Sequence, residues 1–521
     1  MAKRKNKILW VDDEIDQLKS HILFLEEKGY SVVPITNAED AITYIKKEYF
    51  DLILLDEMMP GLQGLEAVSM VKDINPSLPI IMITKSEEEN LMEEAIGENI
   101  DDYLTKPVNP SQILSSCKRI LEKKRIADEK LIRDYTQEFQ EISSLLNKSI
   151  SYNDWIQIYT NLAERMIDFD IYPNPELRQI IDEQLKECNS VFGDYIEKNY
   201  TKWINGDDPP VLSPEIITRY VVPLLKKKKK VLFILIDNLR IDQWMSLEPM
   251  LYEFFNIKRE YYYSILPTAT PYSRNSIFAG MLPYEIEKIY PKLWKMGDDD
   301  ETSQNRYESK FLGEQLKRKG VNFDNAFKYV KIINQKKAKE IVRKINEYLS
   351  VPLTVMVFNF VDILSHRSSD SEIIQEIVPD ESAYRSLTKT WFRHSPLYSI
   401  LKIVSKEDIQ VIITSDHGSI LTKRGSTVYG DRETSTNLRY KYGKGIRGDN
   451  KDLVEIKDPS KFGLPRKGLN INYLIAKDDV CFLYPTNYHK FYTKFSNSFQ
   501  HGGISLQEMI LPIVLLEKKL Q

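Results

Sequence analysis

Cysteine is scarce in this chain of 521 residues, and long apolar runs are missing. The three cysteines, Cys117, Cys188 and Cys481, are far apart and lack the paired spacing of a metal motif, so we expect reduced packing residues. No stretch approaches the roughly 18 uninterrupted apolar residues of a membrane span, and the N-terminus has no apolar signal-peptide core. These absences predict a cytoplasmic protein.

Neither sign of charge predominates. The formal net charge of −4 gives no overall attraction to nucleic acid. Charged residues at 28% and hydrophobic residues at 42% are typical of globular proteins, and the length predicts about two to four domains. Histidine is also rare, with six in all, so its placement is informative.

Three apolar runs in the C-terminal half end on an acid. VLFILID ends on Asp237, LTVMVFNFVD ends on Asp362, and the apolar run of IQVIITSD ends on Asp416. Buried parallel strands have this composition, and open α/β sheets bind ligands at the carboxyl ends of such strands. We therefore expect the three acids to meet at one edge of a sheet.

Other metal-binding and nucleophilic residue types accompany these acids. His366 follows Asp362 by four residues, which is one turn of a helix, and three further candidates are His417, His501 and Thr270 of the turn LPTATPYSRNS. Carboxylates with imidazoles suit zinc or manganese, and a pair of such ions can clamp a phosphoryl group. Thr270 needs such an ion or a base to become a nucleophile at neutral pH. Singly, each residue has a structural alternative as a cap, turn or packing residue.

The order of these motifs resembles the alkaline phosphatase superfamily, most closely its PglZ branch, over residues 206–521. The resemblance implies two zinc ions. It assigns one to Asp237, Asp416, His417 and the Thr270 hydroxyl, and the other to Asp362, His366 and His501. A threonine nucleophile looks more like the phosphodiesterase relatives than the monoesterases. Candidates for holding the transferred phosphoryl group are Ser273, Arg274 and Asn275.

The first 122 residues show strand and helix patterns in alternation, which predicts a doubly wound parallel sheet. Asp12, Asp13 and Asp56 follow predicted strands, and such an acidic cluster suits Mg²⁺. The segment resembles a response-regulator receiver domain. The resemblance implies phosphorylation of Asp56, a Mg²⁺ site that also includes Met58, and a switch made of Thr84, Tyr103 and Lys106.

Residues 123–205 have apolar positions at helical spacing and no metal or phosphate-loop motif, so we predict a three- or four-helix bundle. The predicted domains are then 1–122, 123–205 and 206–521, all within an α/β fold class. The lysine run 226–230 is interpreted as a solvated face, and the acidic segment 295–309 as a loop.

The segment 423–448 mixes basic residues with tyrosines just after His417. Cations and aromatic rings together are typical of contacts to nucleotides or single-stranded nucleic acid, which makes Arg439 and Tyr440 candidate substrate contacts. A flexible surface loop remains an equal alternative. No helix-turn-helix pattern is present, so a DNA-binding output is not expected.

The whole order of segments resembles the PorX-type regulators of type IX secretion, which act with a sensor histidine kinase and a sigma factor. The predicted function is a phosphorylation-controlled zinc phosphodiesterase that acts on phosphodiesters such as linear or cyclic oligonucleotides and forms a phosphorylation-dependent homodimer. The alternative is a non-catalytic protein that dimerises on phosphorylation and docks on a sigma factor or secretion component.

Overall fold

The computed structural model describes residues 5–62, 64–75, 77–85, 100–294, 305–321, 327–332, 334–370, 376–430, 435, 437–466 and 470–519. They form two compact units, one of residues 1–140 and 168–177, the other of residues 141–167 and 178–521. The predicted helix after the strand PIIMIT, most of the acidic segment 295–309, and Arg432 lie outside the described residues. Within the described ranges, no helix is long and apolar enough to cross a membrane.

The N-terminal sheet has five parallel strands in the order β2-β1-β3-β4-β5. Its elements are β1 (Lys7–Val11), α1 (Lys19–Glu27), β2 (Ser31–Ile35), α2 (Ala38–Lys47), β3 (Leu52–Asp56), α3 (Gly64–Ile74), β4 (Ile80–Thr84) and β5 (Asp102–Thr105). Every residue of β3 is buried because its side chains alternate between apolar clusters on the two faces, Ile53 and Leu55 on one, Leu52 and Leu54 on the other. The predicted parallel sheet is confirmed.

Three helices follow in the middle of the chain: α4 (Pro110–Leu146), α5 (Tyr152–Ile171) and α6 (Pro175–Ile204). The proposed boundary between residues 122 and 123 falls inside α4, so the backbone does not break there. In the second unit, Trp155 of α5 packs edge-on against Phe192 of α6, with ring centroids 5.2 Å apart. Aromatic side chains thus form part of the packing between α5 and α6.

The second unit is built on a six-stranded sheet in the order β7-β18-β10-β6-β9-β8. Its strands are β6 (Val231–Ile236), β7 (Phe255–Tyr263), β8 (Lys328–Ile332), β9 (Leu353–Phe358), β10 (Gln410–Thr414) and β18 (Ile510–Lys518). The central strands β6, β9 and β10 are parallel, and Leu235 pairs with both Val357 and Thr414. This register brings the carboxyl ends of all three strands to one edge of the sheet.

Helices surround this sheet, and shorter strands are added beside it. The helices are α7 (Val222–Lys226), α8 (Ile241–Leu247), α9 (Thr270–Ala279), α10 (Pro283–Ile289), α11 (Glu308–Arg318), α12 (Gln335–Arg343), α13 (Ile345–Tyr348), α14 (Phe360–Asp370), α15 (Glu381–His394), α16 (Pro396–Val404), α17 (Tyr488–Phe495) and α18 (Leu506–Met509). The shorter strands are β11 (Ile420–Thr422), β12 (Arg424–Thr427), β13 (Tyr440–Lys444), β14 (Leu453–Ile456), β15 (Ile471–Ala476), β16 (Val480–Leu483) and β17 (Ser498–Gln500). Leu232, Ile234 and Ile236 of β6 belong to the main core of this unit.

The structure differs from the predicted elements at two points. Thr270 is not in a loop but begins helix α9, whose first turn accepts Pro271 because its missing N–H would have no helical partner there. The apolar run before Asp362 is not one strand: β9 ends at Phe358 and Asp362 lies in the first turn of α14. The three cysteines are buried and free, as predicted.

Candidate metal centre and receiver site

The loops after β6 and β10 bring two buried carboxylates and an imidazole together. Ligand atoms of Asp237, Asp416 and His417 all lie within 4.8 Å of one another. The three side chains are at most 1% exposed. Thr270 is next to them, with its Oγ1 2.9 Å from Nε2 of His417. The parallel register explains this grouping, because each residue follows a strand that ends at the same edge.

A second group adjoins the first. Ligand atoms of Asp362, His417 and His501 also lie within 4.8 Å of one another, and the rings of His417 and His501 stack with centroids 4.2 Å apart. Nε2 of His366 lies 3.4 Å from Oδ1 of Asp362 and 3.3 Å from Nε2 of His501. All seven sequence-predicted zinc ligands are therefore in one continuous cluster, with His417 between the two groups.

The protonation states of this cluster follow from burial. Desolvation raises the pKa of Asp416 to about 8 and lowers the pKa of His417 to about 4. The same desolvation opposes ionisation of Asp237, but Arg274 together with His417 and His501 outweighs it and lowers the pKa of that carboxyl. His417 is thus a neutral imidazole at neutral pH, the form that coordinates metals.

The donor set fits zinc. Oδ1 of Asp237 is buried, has no hydrogen-bond partner among the described residues, and lies 3.7 Å from Nε2 of His417, so a lone pair faces the cluster. An unsatisfied buried carboxylate oxygen is costly unless a cation completes it. Carboxylate, imidazole and hydroxyl groups are ordinary zinc ligands, and the cluster offers enough of them for two ions.

Arg274 is the counter-charge of the first group. It lies one helical turn after Thr270 on α9, pairs with Asp237, and its Nε donates to Asp416 at 2.8 Å. A buried carboxylate, Glu308, is 3.8 Å from the same guanidinium. Of the three predicted phosphoryl contacts, Arg274 is the one that the structure brings to the carboxylates.

The other two predicted phosphoryl contacts, Ser273 and Asn275, form hydrogen bonds with other groups of the protein. Oγ of Ser273 lies 2.8 Å from Oγ of Ser264, and Nδ2 of Asn275 donates to the carbonyl of Pro271 at 2.8 Å. Both side chains are buried. They therefore hold α9 and its approach in place.

Asn238 joins the two groups, and sequence reasoning passed over it. Its Nδ2 donates to Ser365 at 2.8 Å and lies 3.5 Å from Oδ1 of Asp362, while its backbone N–H points at Asp416. Its φ of 64° is left-handed, a conformation that asparagine tolerates better than most residues. An asparagine directly after a strand-end aspartate was the signal available in the sequence.

Segment 423–448 is folded where it is described, because β12 and β13 belong to it. Arg439 is fully buried and pairs with Glu508 at 2.6 Å, so its guanidinium is engaged in the fold. Tyr440 is 4% exposed, and its ring meets that of Tyr272 edge-on with centroids 5.6 Å apart. Arg439 is therefore not proposed as a substrate contact. Tyr440 packs against Tyr272 of α9.

The receiver residues converge at the carboxyl ends of β1, β3 and β5. Nζ of Lys106 donates to Asp56 at 2.8 Å and to Asp12 at 2.9 Å. Burial raises the pKa of Asp56, and Lys106 opposes that shift. Asp12, Asp13 and Asp56 offer oxygen atoms within 4.8 Å of one another, which suits Mg²⁺. The side chain of Met58 is 60% exposed, but its backbone amide bonds to the Asp56 carboxylate.

The switch residues lie beside this cluster. The hydroxyl of Thr84 donates to the carboxylate of Glu57, and the phenol of Tyr103 is hydrogen-bonded to Thr84. Burial raises the pKa of Tyr103, so the phenol keeps its proton. Glu57 is a partner that the sequence did not indicate. In this arrangement the switch hydroxyl is held by Glu57 rather than by Lys106 or Asp56.

Comparison with protein-family models assigns each part of the chain. The model of the BREX system PglZ alkaline phosphatase-like domain matches residues 216–516, more than half of the chain. The chain therefore belongs to the PglZ family of alkaline phosphatase-like proteins. A response regulator receiver model matches residues 8–118 and a PorX response regulator linker model matches residues 125–204. This order of segments is that of the PorX-type regulators.

Curated relatives match only part of the chain. The chain is similar to the alkaline phosphatase synthesis transcriptional regulatory protein PhoP of Bacillus subtilis, 36% identical over 123 residues, 23% of this chain and 50% of the relative. It is also similar to the phosphoglycerate transport system transcriptional regulatory protein PgtA of Salmonella typhimurium, 29% identical over 164 residues, 32% of this chain and 39% of the relative. The chain thus spans about half the length of these relatives or less, and their activities are not carried over.

Solved structures also match only part of the chain. A CheY-like receiver from Methanospirillum hungatei is 30% identical and covers 23% of this chain and 96% of its own, with a TM-score of 0.22. The DrrB regulator of Thermotoga maritima is 31% identical and covers 23% of this chain and 54% of its own, also at 0.22.

Proposed function

We propose that this chain is a response regulator with an enzymatic output, a zinc-dependent phosphodiesterase controlled by phosphorylation of Asp56. The observation that carries the proposal is the buried threonine at the start of α9, whose Oγ1 lies 2.9 Å from His417 inside a cluster of carboxylates and imidazoles. That combination of nucleophile and metal-ligand set is suited to phosphoryl transfer.

Each residue has a part in the reaction. Thr270 Oγ1 loses its proton and attacks the phosphorus of the diester, and one ester oxygen leaves as an alcohol after taking up a proton. Water then cleaves the bond between phosphorus and the threonine oxygen, which restores the hydroxyl and releases a phosphomonoester. The N-terminus of α9 directs the positive end of the helix dipole at the phosphoryl oxygens. Arg274 holds Asp237 and Asp416 in position. Zinc bound by these residues would lower the pKa of the threonine hydroxyl and neutralise developing charge.

The substrate class is a phosphodiester, with linear or cyclic oligonucleotides as the first candidates. We also propose that the chain acts in the cytoplasm in the control of type IX secretion, with a sensor histidine kinase and a sigma factor as partners. Support for this context comes from the matched PorX linker between receiver and PglZ domain.

Hydrolysis of bis-p-nitrophenyl phosphate by the zinc-loaded chain tests the enzymatic part. Thr270→Ala should lower kcat by at least about a thousandfold, because the Thr270 hydroxyl is the proposed nucleophile and lies against the imidazole ring of His417. Thr270→Ser is the matched control and should keep measurable turnover with the same zinc content. Diester hydrolysis that persists in Thr270→Ala would refute the nucleophile assignment. No hydrolysis by the wild-type chain with two zinc ions bound would favour the docking alternative.

Asp56→Ala tests the regulatory part. Acetyl phosphate or a kinase should phosphorylate the wild-type chain and increase its dimer fraction, because Asp56 is the predicted phosphorylation site and Lys106 lies close enough to pair with the added phosphoryl group. The variant should stay monomeric under the same conditions in analytical ultracentrifugation. Equal dimerisation of both proteins would contradict the link between the receiver and assembly.

A further inference from the structure

Helix α6 of the linker holds two segments of the candidate metal centre. Asn189, which is 3% exposed, uses both ends of its amide on the chain just after His501. Its Oδ1 accepts from the backbone N–H of Leu506 at 2.8 Å, and its Nδ2 donates to Gln507 at 3.1 Å. A buried amide with both ends satisfied resists displacement, because any shift leaves polar groups unpaired.

The same helix holds the segment before the nucleophile. The hydroxyl of Tyr200 accepts from the backbone N–H of Leu266 at 2.9 Å, four residues before Thr270. Tyr200 is 1% exposed, and its ring stacks on Phe462 with centroids 5.9 Å apart. The phenol therefore has a fixed direction and a single backbone donor to satisfy.

The two held segments also contact each other. Thr268 donates to the carbonyl of Gly503 at 2.7 Å and accepts from the N–H of Gly502 at 3.2 Å. The carbonyl of Glu508 accepts from the N–H of Gly418, the residue after His417, at 3.2 Å. A Cβ at Gly418 would lie only 2.0 Å from the carbonyl oxygen of Gln507. The segments that carry Thr270, His417 and His501 are thus connected to one another by hydrogen bonds.

Asn189 and Tyr200, called the anchors below, are held at a fixed distance from each other by helix α6. Asn189 and Tyr200 are eleven residues apart by their numbers, which is about three turns, so they lie on the same face of α6 roughly 16 Å apart. A helix of this kind is stiff. A tilt or rotation of α6 therefore moves the Leu266 and Leu506 segments together rather than one alone.

We propose that Asn189 and Tyr200 are positioning residues through which linker helix α6 sets the placement of Thr270 relative to His417 and His501. The proposal rests on the proposed function in one respect, because it assumes that this placement serves catalysis. Both anchors lie inside the matched PorX linker segment, so the linker supports the catalytic geometry in addition to connecting two domains. Displacements of about 1 Å at reacting atoms can lower turnover a hundredfold.

The experiment uses the full chain, loaded with zinc, and the variants Asn189→Leu and Tyr200→Phe. Two controls lie on the same helix. Asn199→Leu removes an amide that donates to the helical carbonyl of Tyr195, and Tyr195→Phe removes a half-buried phenol from an aromatic cluster. We expect kcat for the diester to fall about tenfold or more in the two anchor variants with KM changed less than about twofold. Asn189→Asp keeps the acceptor for Leu506 and should restore most of kcat.

Amide hydrogen exchange is the readout that does not depend on activity. In the zinc-free chain, Tyr200→Phe should speed exchange at Leu266, and Asn189→Leu should speed exchange at Leu506, while the two controls leave both segments unchanged. Anchor variants that match the controls in exchange and in kcat would overturn the proposal. A wild-type chain without turnover would refute the proposed function instead, and exchange at the two segments would then decide the positioning role.

Discussion

Replacing Arg439 by methionine tests whether this arginine is part of the fold or a substrate contact. Its guanidinium and the carboxylate of Glu508 are both fully buried, 2.6 Å apart, and the arginine also donates to the backbone carbonyl of Val480. Removing one partner of a buried ion pair costs about 3–5 kcal/mol because a buried charge is left unpaired. Glu508 keeps donors from Gly503 at 2.8 Å and Ser505 at 2.6 Å. We therefore expect the lower end, about 3 kcal/mol.

Thermal unfolding followed by near-ultraviolet circular dichroism measures this loss. About 3 kcal/mol should lower the midpoint of the C-terminal domain by about 5 °C, because a domain of this length has a large unfolding entropy. In the double variant Arg439→Met/Glu508→Gln the charge is gone, so part of the loss should return. Arg466→Met removes an exposed ion pair with Asp458 and should leave the midpoint unchanged. An unaltered midpoint in Arg439→Met together with a raised KM would refute the structural role and restore Arg439 as a substrate contact.

Two further predictions concern zinc and the receiver switch. Zinc must displace the proton that Asp416 carries below about pH 8, so zinc affinity should rise about tenfold per pH unit up to that value and then level off, with one proton released in calorimetry in two buffers. His417, with a pKa of about 4, adds no release near neutrality. Glu57→Gln weakens the acceptor that holds Thr84, so beryllofluoride should bind the receiver about fivefold more tightly in fluorescence titration.

Each of these two predictions has its own opposing result. Zinc affinity that is flat between about pH 6 and 8 would show that Asp416 is already ionised without the metal. For the receiver, Glu66→Gln on the exposed face of α3 is the matched control. Equal beryllofluoride affinity in the Glu57 and Glu66 variants would mean that Glu57 does not restrain the switch hydroxyl.

The fold class and the order of segments could be predicted because they depend on short-range patterns. Apolar runs of strand length, their alternation with helical spacing, and acids at strand ends are local features that parallel sheets require. The PorX-type architecture inferred from the motifs is confirmed by the three matching family models. The domain boundaries and the functional roles of the site residues stay predictions.

Local patterns were less reliable where a run of one composition changes conformation. The residues around Thr270 have turn composition, yet they begin a helix because the missing N–H of proline is tolerated in a first turn. The apolar residues before Asp362 continue across the junction of β9 and α14. In both cases packing against the sheet decides the conformation, and composition alone does not record it.

By itself the sequence determined which side chains would gather, since residues that follow parallel strands must meet at one edge of the sheet. It named Asp237, Asp416 and His417 for that reason. Only the tertiary structure decided which charges are available, because pairing depends on partners distant in the chain. Arg439 is neutralised by Glu508, 69 residues later, and Asn189 reaches Leu506 across 317 residues. Such contacts arise only when the packed core fixes where distant segments lie.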